Sequence, residues 1–274
     1  MDEQHNYRYV AALVTYDGTD FFGFQYQSDH QSIQGSLEIA LSKFCKYTGR
    51  VVGSGRTDTG VHARGQVIAV KVDWKHDLLA LQRAWNVHLP SSIAIQSITE
   101  VASEFHPRFS ALSRTYCYYV TNHLVAELST IRRSPLTDRT SLFIASPLDI
   151  EAMNEAGRHL IGIYDFAAFG QPTQGESTIR ELTEVSWRME GCAMLATTQR
   201  FLVFTVTGSS FLRHMVRNLV GTLLLVGSHK IEPGQVKKIL ESKRRENCAP
   251  PVPPHGLVLE RVTYPAEYGI RTFA

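Results

Sequence analysis

Residues 211–226 constrain this chain more than any other stretch. Leu212, Met215, Val216, Leu219, Val220, Leu223, Leu224 and Leu225 fall on nearly every side of a helix, and a helix that is apolar all round is a buried one. It must lie under other elements of a layered fold. Two cations interrupt it: Arg213 and Arg217 are four residues apart, on one helical face with Gly221. A buried guanidinium without a partner is very costly, so that face needs a carboxylate or a polyanion; otherwise it is a stripe facing solvent at a helix edge. No Asp or Glu occurs from 191 to 231, so an acidic partner must come from far away in sequence.

Around this helix the chain mixes element types. Strands are expected over 7–16, 65–72, 93–101, 114–121, 180–189, 201–208 and 257–264, from runs of aromatic and β-branched residues. Helices are expected over 33–46, with Ser32 as N-cap and Gly49 as stop, and over 78–87, 148–160 and 233–241. Without regular alternation, this order indicates an α+β fold rather than a doubly wound sheet. The irregular stretch 130–139 divides residues 1–129 from residues 130–274, two halves of similar element content that could face each other across a cleft. The longest strongly apolar run, 219–227, is too short to span a bilayer. The N-terminus lacks the charge and apolar core of a signal peptide. Cys45, Cys117, Cys192 and Cys248 are scattered with no Cys-x-x-Cys pair, which argues against a disulfide frame or zinc site and points to the cytosol.

The most unusual segment is 53–65, Gly-Ser-Gly-Arg-Thr-Asp-Thr-Gly-Val-His-Ala-Arg-Gly. Its four glycines permit positive φ or close approach of backbone to a ligand. Asp58 is the only acid between Arg50 and Arg64, and is flanked by cations. It could cap backbone N–H groups of a tight turn. A phosphate loop is a weaker reading, because the Gly-Lys-Ser/Thr ending is missing. As a lone acid in a cationic loop, Asp58 is also the leading partner for the arginines of the apolar helix.

A third segment runs Phe105-His106-Pro107-Arg108-Phe109-Ser110, then Arg114-Thr115-Tyr116-Cys117-Tyr118-Tyr119. Aromatics interleaved with arginines suit stacking on bases and pairing with phosphates. In a strand Tyr116 and Tyr118 share one face, although aromatic core residues give the same pattern. Net charge is only +2, but acids are absent from 105–126 as well as from 191–231, and Lys237, Lys238, Lys243, Arg244 and Arg245 cluster near the end. Converging in space, these stretches would form a phosphate-binding face.

Taken together the segments resemble the tRNA pseudouridine synthase family of the TruA type, nearly end to end and in order. The resemblance rests on Tyr16-Asp17-Gly18, Gly23-Phe24-Gln25, Gln34, Leu37-Glu38, the run from Gly55 to Ala63, the stretch from Phe105 to Tyr116, Asp165-Phe166 with Phe169, the run from Phe211 to Gly221, and His255-Gly256-Leu257. The Asp loop and the His-Met-Val-Arg helix in this order are its most specific parts. Thr59 stands where the family usually has Ala, and the 171–177 loop differs from the expected versions. The resemblance implies a pseudouridine synthase fold with a central basic cleft, and isomerisation of uridines 38 to 40 in the tRNA anticodon arm without metal or organic cofactor. It implies that Asp58 is the essential carboxylate, that Arg217 pairs with it, and that Tyr116 stacks on the uracil with Leu257 closing the pocket. Arg56 would fill the gap left by the flipped base. Phe105, His106, Pro107, Arg108, Phe109 and Arg114 would hold the RNA, and Gln171 and Gln174 would touch tRNA. It further implies a homodimer that shares one tRNA.

Two other function classes remain on the residues alone. A non-catalytic RNA-binding or RNA-chaperone protein would use the same basic and aromatic surface but has no reason to place an acid inside it. A nucleotide or glycoside hydrolase usually needs a second carboxylate, and none accompanies Asp58 in these segments. A zinc nucleobase deaminase would need His-x-Glu and Cys-x-x-Cys, which the chain lacks.

Overall fold

Strand β1 (Tyr7–Tyr16) carries an unbroken apolar run, Val10 to Val14, in which no residue is more than 4% exposed. A run buried on both faces belongs in the middle of a sheet. In the computed structural model, which describes residues 7–122, 135–172, 175, 177–191 and 200–270, β1 lies between β3 (His62–Asp73) and β4 (Ile93–Glu100), antiparallel to both. Ten strands and five α-helices occur among the described residues, so the fold is mixed α+β.

The chain forms two compact units, Met1–Arg114 with Leu259–Ala274, and Thr115–Val258. This differs from a division at 129/130: the strand expected from 114 opens the second unit, and the last strand returns to the first. Of the irregular connection expected over 130–139, residues 130–134 lie outside the described residues.

In the first unit the order is β4–β1–β3–β10, with β10 spanning Leu257–Thr263 and β2 (Lys46–Gly53) also pairing β3. Helices α1 (Ile33–Ser42) and α2 (Leu78–His88) supply Ile33, Leu37, Leu41, Leu81 and Trp85 to the core, each fully buried. Burying one such side chain is worth about 1.5–3 kcal/mol. Trp85 also donates its indole N–H to the Leu37 carbonyl at 3.0 Å. Ser32 caps α1 as expected, accepting from the Gly35 N–H. The helix ends at Ser42 rather than near 46, because the chain must then enter β2. That strand gives no apolar alternation, since only Val51 is buried in it. Gly49 does not stop the helix; it sits within β2 at φ +75°, where the register with β3 shifts.

In the second unit the order is β5–β9–β8–β7, with β5 at Ser113–Asn122, β7 at Gly162–Asp165, β8 at Ile179–Gly191 and β9 at Arg200–Gly208; β6 (Leu142–Ile144) runs parallel to β5. Helix α4 (Met215–Gly227) packs against α3 (Ile150–Arg158) and α5 (Pro233–Ser242). The buried helix expected from its composition is there: Met215, Leu219, Val220, Thr222 and Leu223 are 0% exposed. It starts four residues late, at Met215. His214 is left-handed, at φ +62°, and the Arg213 N–H bonds the Gln171 carbonyl at 2.9 Å. Arg213 is thus exposed and off the helix, so the expected Arg213–Arg217 stripe does not form. Among the described residues no helix is long and apolar enough to cross a membrane.

Candidate active site

Strand β2 leaves β3 at Gly53, opposite Ile68, and residues 54–61 form the connection between them. Within it Asp58 is half-buried, while Arg56 and Thr59 are exposed. The backbone turns directly after Asp58: the Val61 N–H reaches the Asp58 carbonyl at 3.2 Å, and Gly60 takes φ +76°. That third turn position needs a residue tolerant of positive φ, which is why glycine stands there.

Beneath the loop lies a buried polar network. Gln66, fully buried, accepts from the Ser54 N–H at 3.2 Å and from its hydroxyl at 2.6 Å. Its amide nitrogen donates to the Gly55 carbonyl at 3.0 Å and to the Tyr16 hydroxyl at 3.4 Å. The Tyr16 and Thr57 hydroxyls share a 2.8 Å bond. A fully satisfied buried network admits one arrangement of the backbone it holds, so the residue before Asp58 is pinned through its side chain.

The segment after β1 grips the loop from another side. The Phe24 N–H bonds the Thr57 carbonyl at 3.1 Å, and the Gly60 N–H bonds the Phe21 carbonyl at 3.3 Å. The His62 Nδ1 accepts from the Gly18 N–H at 3.1 Å and lies 3.2 Å from Asp17 Oδ1. Approach is close enough that Gly18 and Gly23 have no room for a side chain: a Cβ would lie 2.0 Å from the Val61 carbonyl oxygen and 2.7 Å from that of Thr57, respectively. The Tyr16-Asp17-Gly18 and Gly23-Phe24 motifs therefore pack directly against the Asp58 loop.

Arg114 was expected to touch RNA, but it is 8% exposed and holds backbone instead. One guanidinium nitrogen donates to the Ser54 carbonyl at 3.0 Å and to the Arg108 carbonyl at 2.6 Å, joining the Asp58 loop to the 105–110 segment. Phe105 is likewise internal, 2% exposed and packed on the Tyr264 and Tyr268 rings. Pro107 is buried, and its carbonyl accepts from the Tyr264 hydroxyl at 2.6 Å. Burial raises the Tyr264 pKa, keeping that hydroxyl a donor. His106 Nδ1 accepts from the N–H groups of Arg108 and Phe109, and burial, with Arg108 nearby, lowers its pKa. What this framework presents outward is Arg108, half-buried, and Phe109, 73% exposed, with the guanidinium 5.8 Å from the ring centre. Arg114→Met should therefore destabilise the protein, by about 1–3 kcal/mol for each carbonyl left without a donor. Urea unfolding would read this loss, and wild-type stability would refute the tie.

In the second unit, residues 252–257 bring together two of the expected side chains, Arg217 and Leu257. Arg217 on α4 donates Nε–H to the Val252 carbonyl at 2.7 Å, and the Val252 N–H returns to the Arg217 carbonyl at 3.3 Å. Tyr118, fully buried, donates to the next carbonyl, Pro253, at 2.8 Å. Leu257, 5% exposed, follows directly after a short 3-10 turn at Pro254–Gly256. Tyr116, two residues before Tyr118 and on its face of β5, is half-buried with its ring edge-on to Phe211 at 5.1 Å. Gln171 is drawn to the start of α4 by its bridge to Arg213, while Gln174 lies outside the described residues.

The basic cluster near the C-terminus is largely engaged locally. Lys243 pairs with Asp165 at 3.0 Å, Lys237 lies 3.9 Å from Glu241, and Arg245 donates to the Cys248 and Ala249 carbonyls and to Asn218. Among the described residues no three His, Cys, Asp or Glu side chains group closely enough to hold a metal ion.

The same segments align with known proteins. A family model described as tRNA pseudouridine synthase matches residues 12–110 and 156–265. The chain belongs to the tRNA pseudouridine synthase family. It is 40% identical over 259 residues to a tRNA pseudouridine synthase A of Chloroflexus aurantiacus, covering 94% of this chain and 89% of that protein. A tRNA pseudouridine synthase A of Burkholderia thailandensis is 36% identical over 262 residues, covering 95% and 92%. The match to this synthase family takes in both the Asp58 loop and the Arg217 helix. Gln66, Ser54 and Thr57, which hold the loop of this synthase from below, carried no signal of their own in the sequence: one amide and two hydroxyls read as ordinary polar residues.

Proposed function

We propose that this chain isomerises uridine in tRNA to pseudouridine, with Asp58 as the reacting carboxylate. In this isomerisation the N1–C1′ bond of uridine breaks and a C5–C1′ bond forms. C5 loses its proton and N1 gains one, so no oxidant, reductant or net water is consumed. The carboxylate acts either as a nucleophile or by stabilising a glycal-forming route, and both need a charged group held at fixed position. The observation that carries the reading is the placement of Asp58: half-buried on a turn whose backbone is held by Gln66, Phe24 and Arg114, in a family that makes pseudouridine.

A uridine in a stem must leave its stack to reach Asp58, at a cost of a few kcal/mol, which exposed Arg56 offsets by entering the gap. The family pattern gives Arg217 the supporting cation role, Tyr116 the stacking role and Leu257 the pocket wall. It also supports uridines 38 to 40 as targets, a homodimer as the working form and the cytoplasm as its location. Tritium release from tRNA carrying 5-tritiated uridine tests the reaction, since loss of that proton reports isomerisation directly. An RNA-binding protein without catalysis would release none.

Arg108 and Phe109 are the outward pair of the 105–110 segment, so Arg108 serves phosphate. Affinity for tRNA should fall steeply with salt as neutralised phosphates release counterions. Arg108→Ala should weaken binding and flatten the log–log salt slope by about one ion. An unchanged slope would remove Arg108 from the phosphate contacts.

A further inference from the structure

The loop between β1 and α1 splits its aromatics. Phe21 and Phe24 are 3% and 2% exposed and belong to the core, whereas Phe22 and Tyr26 are 46% and 45% exposed. Single exposed aromatics are common on protein surfaces, but these two are presented in a particular way. The Phe22 ring stacks on the His30 imidazole at 4.0 Å and 12°. The Arg50 guanidinium lies 4.3 Å from the centre of the Tyr26 ring, held there by the buried Glu38 carboxylate at 3.1 Å. Each ring thus has a fixed partner beside it and is still close to half exposed.

Nor is the loop loose. The Phe22 N–H bonds the Gln31 carbonyl at 2.9 Å, and the Gln27 side chain returns to the Phe22 carbonyl at 2.8 Å. Buried Gln34 accepts from the Tyr26 N–H and from the Gln25 side chain, both at 2.8 Å. Phe21 and Phe24, on either side of Phe22, are the residues whose backbone bonds Gly60 and Thr57 around Asp58. The exposed rings therefore stand on the framework that positions the candidate carboxylate.

We propose that Phe22 and Tyr26 form a stacking platform for unpaired nucleobases of the RNA that flank the reacting uridine. The inference rests on the isomerase reading above for the identity of the RNA. Unpaired bases are the fitting ligand because each retains an open π-face, and stacking on an aromatic tolerates any base. The platform carries little net positive charge: Arg50 is already paired with Glu38, and Asp29 is exposed in the same loop. Its share of the affinity is therefore independent of salt, unlike that of Arg108.

The test compares tRNA binding of the wild type, Phe22→Leu/Tyr26→Leu and Phe22→Trp across a salt series. The double variant should bind tRNA at least about fivefold more weakly, with the salt slope unchanged. Phe22→Trp, which keeps a flat ring, should bind as tightly as wild type or tighter; this separates stacking from mere integrity of the loop. Equal binding by the double variant overturns the proposal, and so does a weakening that Phe22→Trp shares. A change in oligomeric state without a change in intrinsic tRNA affinity overturns it too, by assigning the rings to a contact between copies of the chain. Binding is measured without turnover, so a wild type that binds tRNA but releases no tritium refutes the isomerase reading while leaving the platform result interpretable.

Discussion

Asp58→Asn should stop tritium release from 5-tritiated uridine tRNA, with a loss of about four orders of magnitude or more in rate, while tRNA affinity stays equal or becomes slightly tighter. The substitution changes charge and almost nothing else. Asn has the shape of Asp, and the bonds that set the turn run through backbone, from Val61 to the carbonyl of residue 58 and from Phe24 to that of Thr57. The Gln66 network grips Ser54, Gly55 and, through Tyr16, Thr57, none of which is altered. Folding should therefore be preserved, and circular dichroism should match wild type. Affinity should not suffer, because an anion beside an RNA backbone opposes binding. Substantial turnover by the Asn variant would mean that another group carries the reaction.

The second large effect concerns glycines that touch no substrate. Gly18→Ala and Gly23→Ala should each lower activity by about a hundredfold, the scale set by displacing a reacting group by about 1 Å. At Gly18 a Cβ would press on the Val61 carbonyl, at 2.0 Å from the oxygen and 2.7 Å from the carbon. At Gly23 it would meet the Thr57 oxygen at 2.7 Å and the Asp58 carbonyl carbon at 3.2 Å, in a residue that also holds φ +80°. In both cases the obstacle is backbone, which has no rotamer to move out of the way, so the Asp58 loop itself must shift. Gly49→Ala supplies the comparison. Gly49 has φ +75° but nothing within 4 Å of its Cβ position, so this variant should lose about 1–2 kcal/mol of stability from backbone strain and little activity. If all three variants behave alike, the close approach at residues 18 and 23 does not position Asp58.

Much of the fold could be read directly from local chemistry. Strand β1 matched its expected bounds because ten residues of alternating and continuous apolar character leave no other way to be buried. Helix α2 lies where residues 78–87 were expected to be helical, and the structure adds its cap: Asp77 accepts from the Ala80 N–H at 2.7 Å. β2 was not legible: its residues alternate nothing and bury only Val51, so only pairing with β3 makes it a strand. β6 and β7, three and four residues long, are too short for a period to show.

The candidate site divides in the same way. Asp58 stood out in the sequence because charge composition is local: one acid among cations and glycines is visible without any fold. Roles that depend on burial were not. Arg114 reads as an RNA contact by composition, and becomes a structural tie because the fold encloses it between two carbonyls, where a guanidinium is worth more as a fixed donor than as a free charge. Arg213 and Arg217 look equivalent at a spacing of four. A left-handed His214 puts the first off the helix and leaves the second on it, a backbone event set by the bridge to Gln171 rather than by the side chains themselves. Gln66 was silent for the same reason. An amide shows what it organises only when the chain has closed around it and its four hydrogen-bond partners are in place. Which residues carry charge, aromatic surface or backbone freedom was written in the sequence; which of them face inward was decided by the tertiary structure, because burial belongs to the neighbours a residue acquires and not to the residue alone.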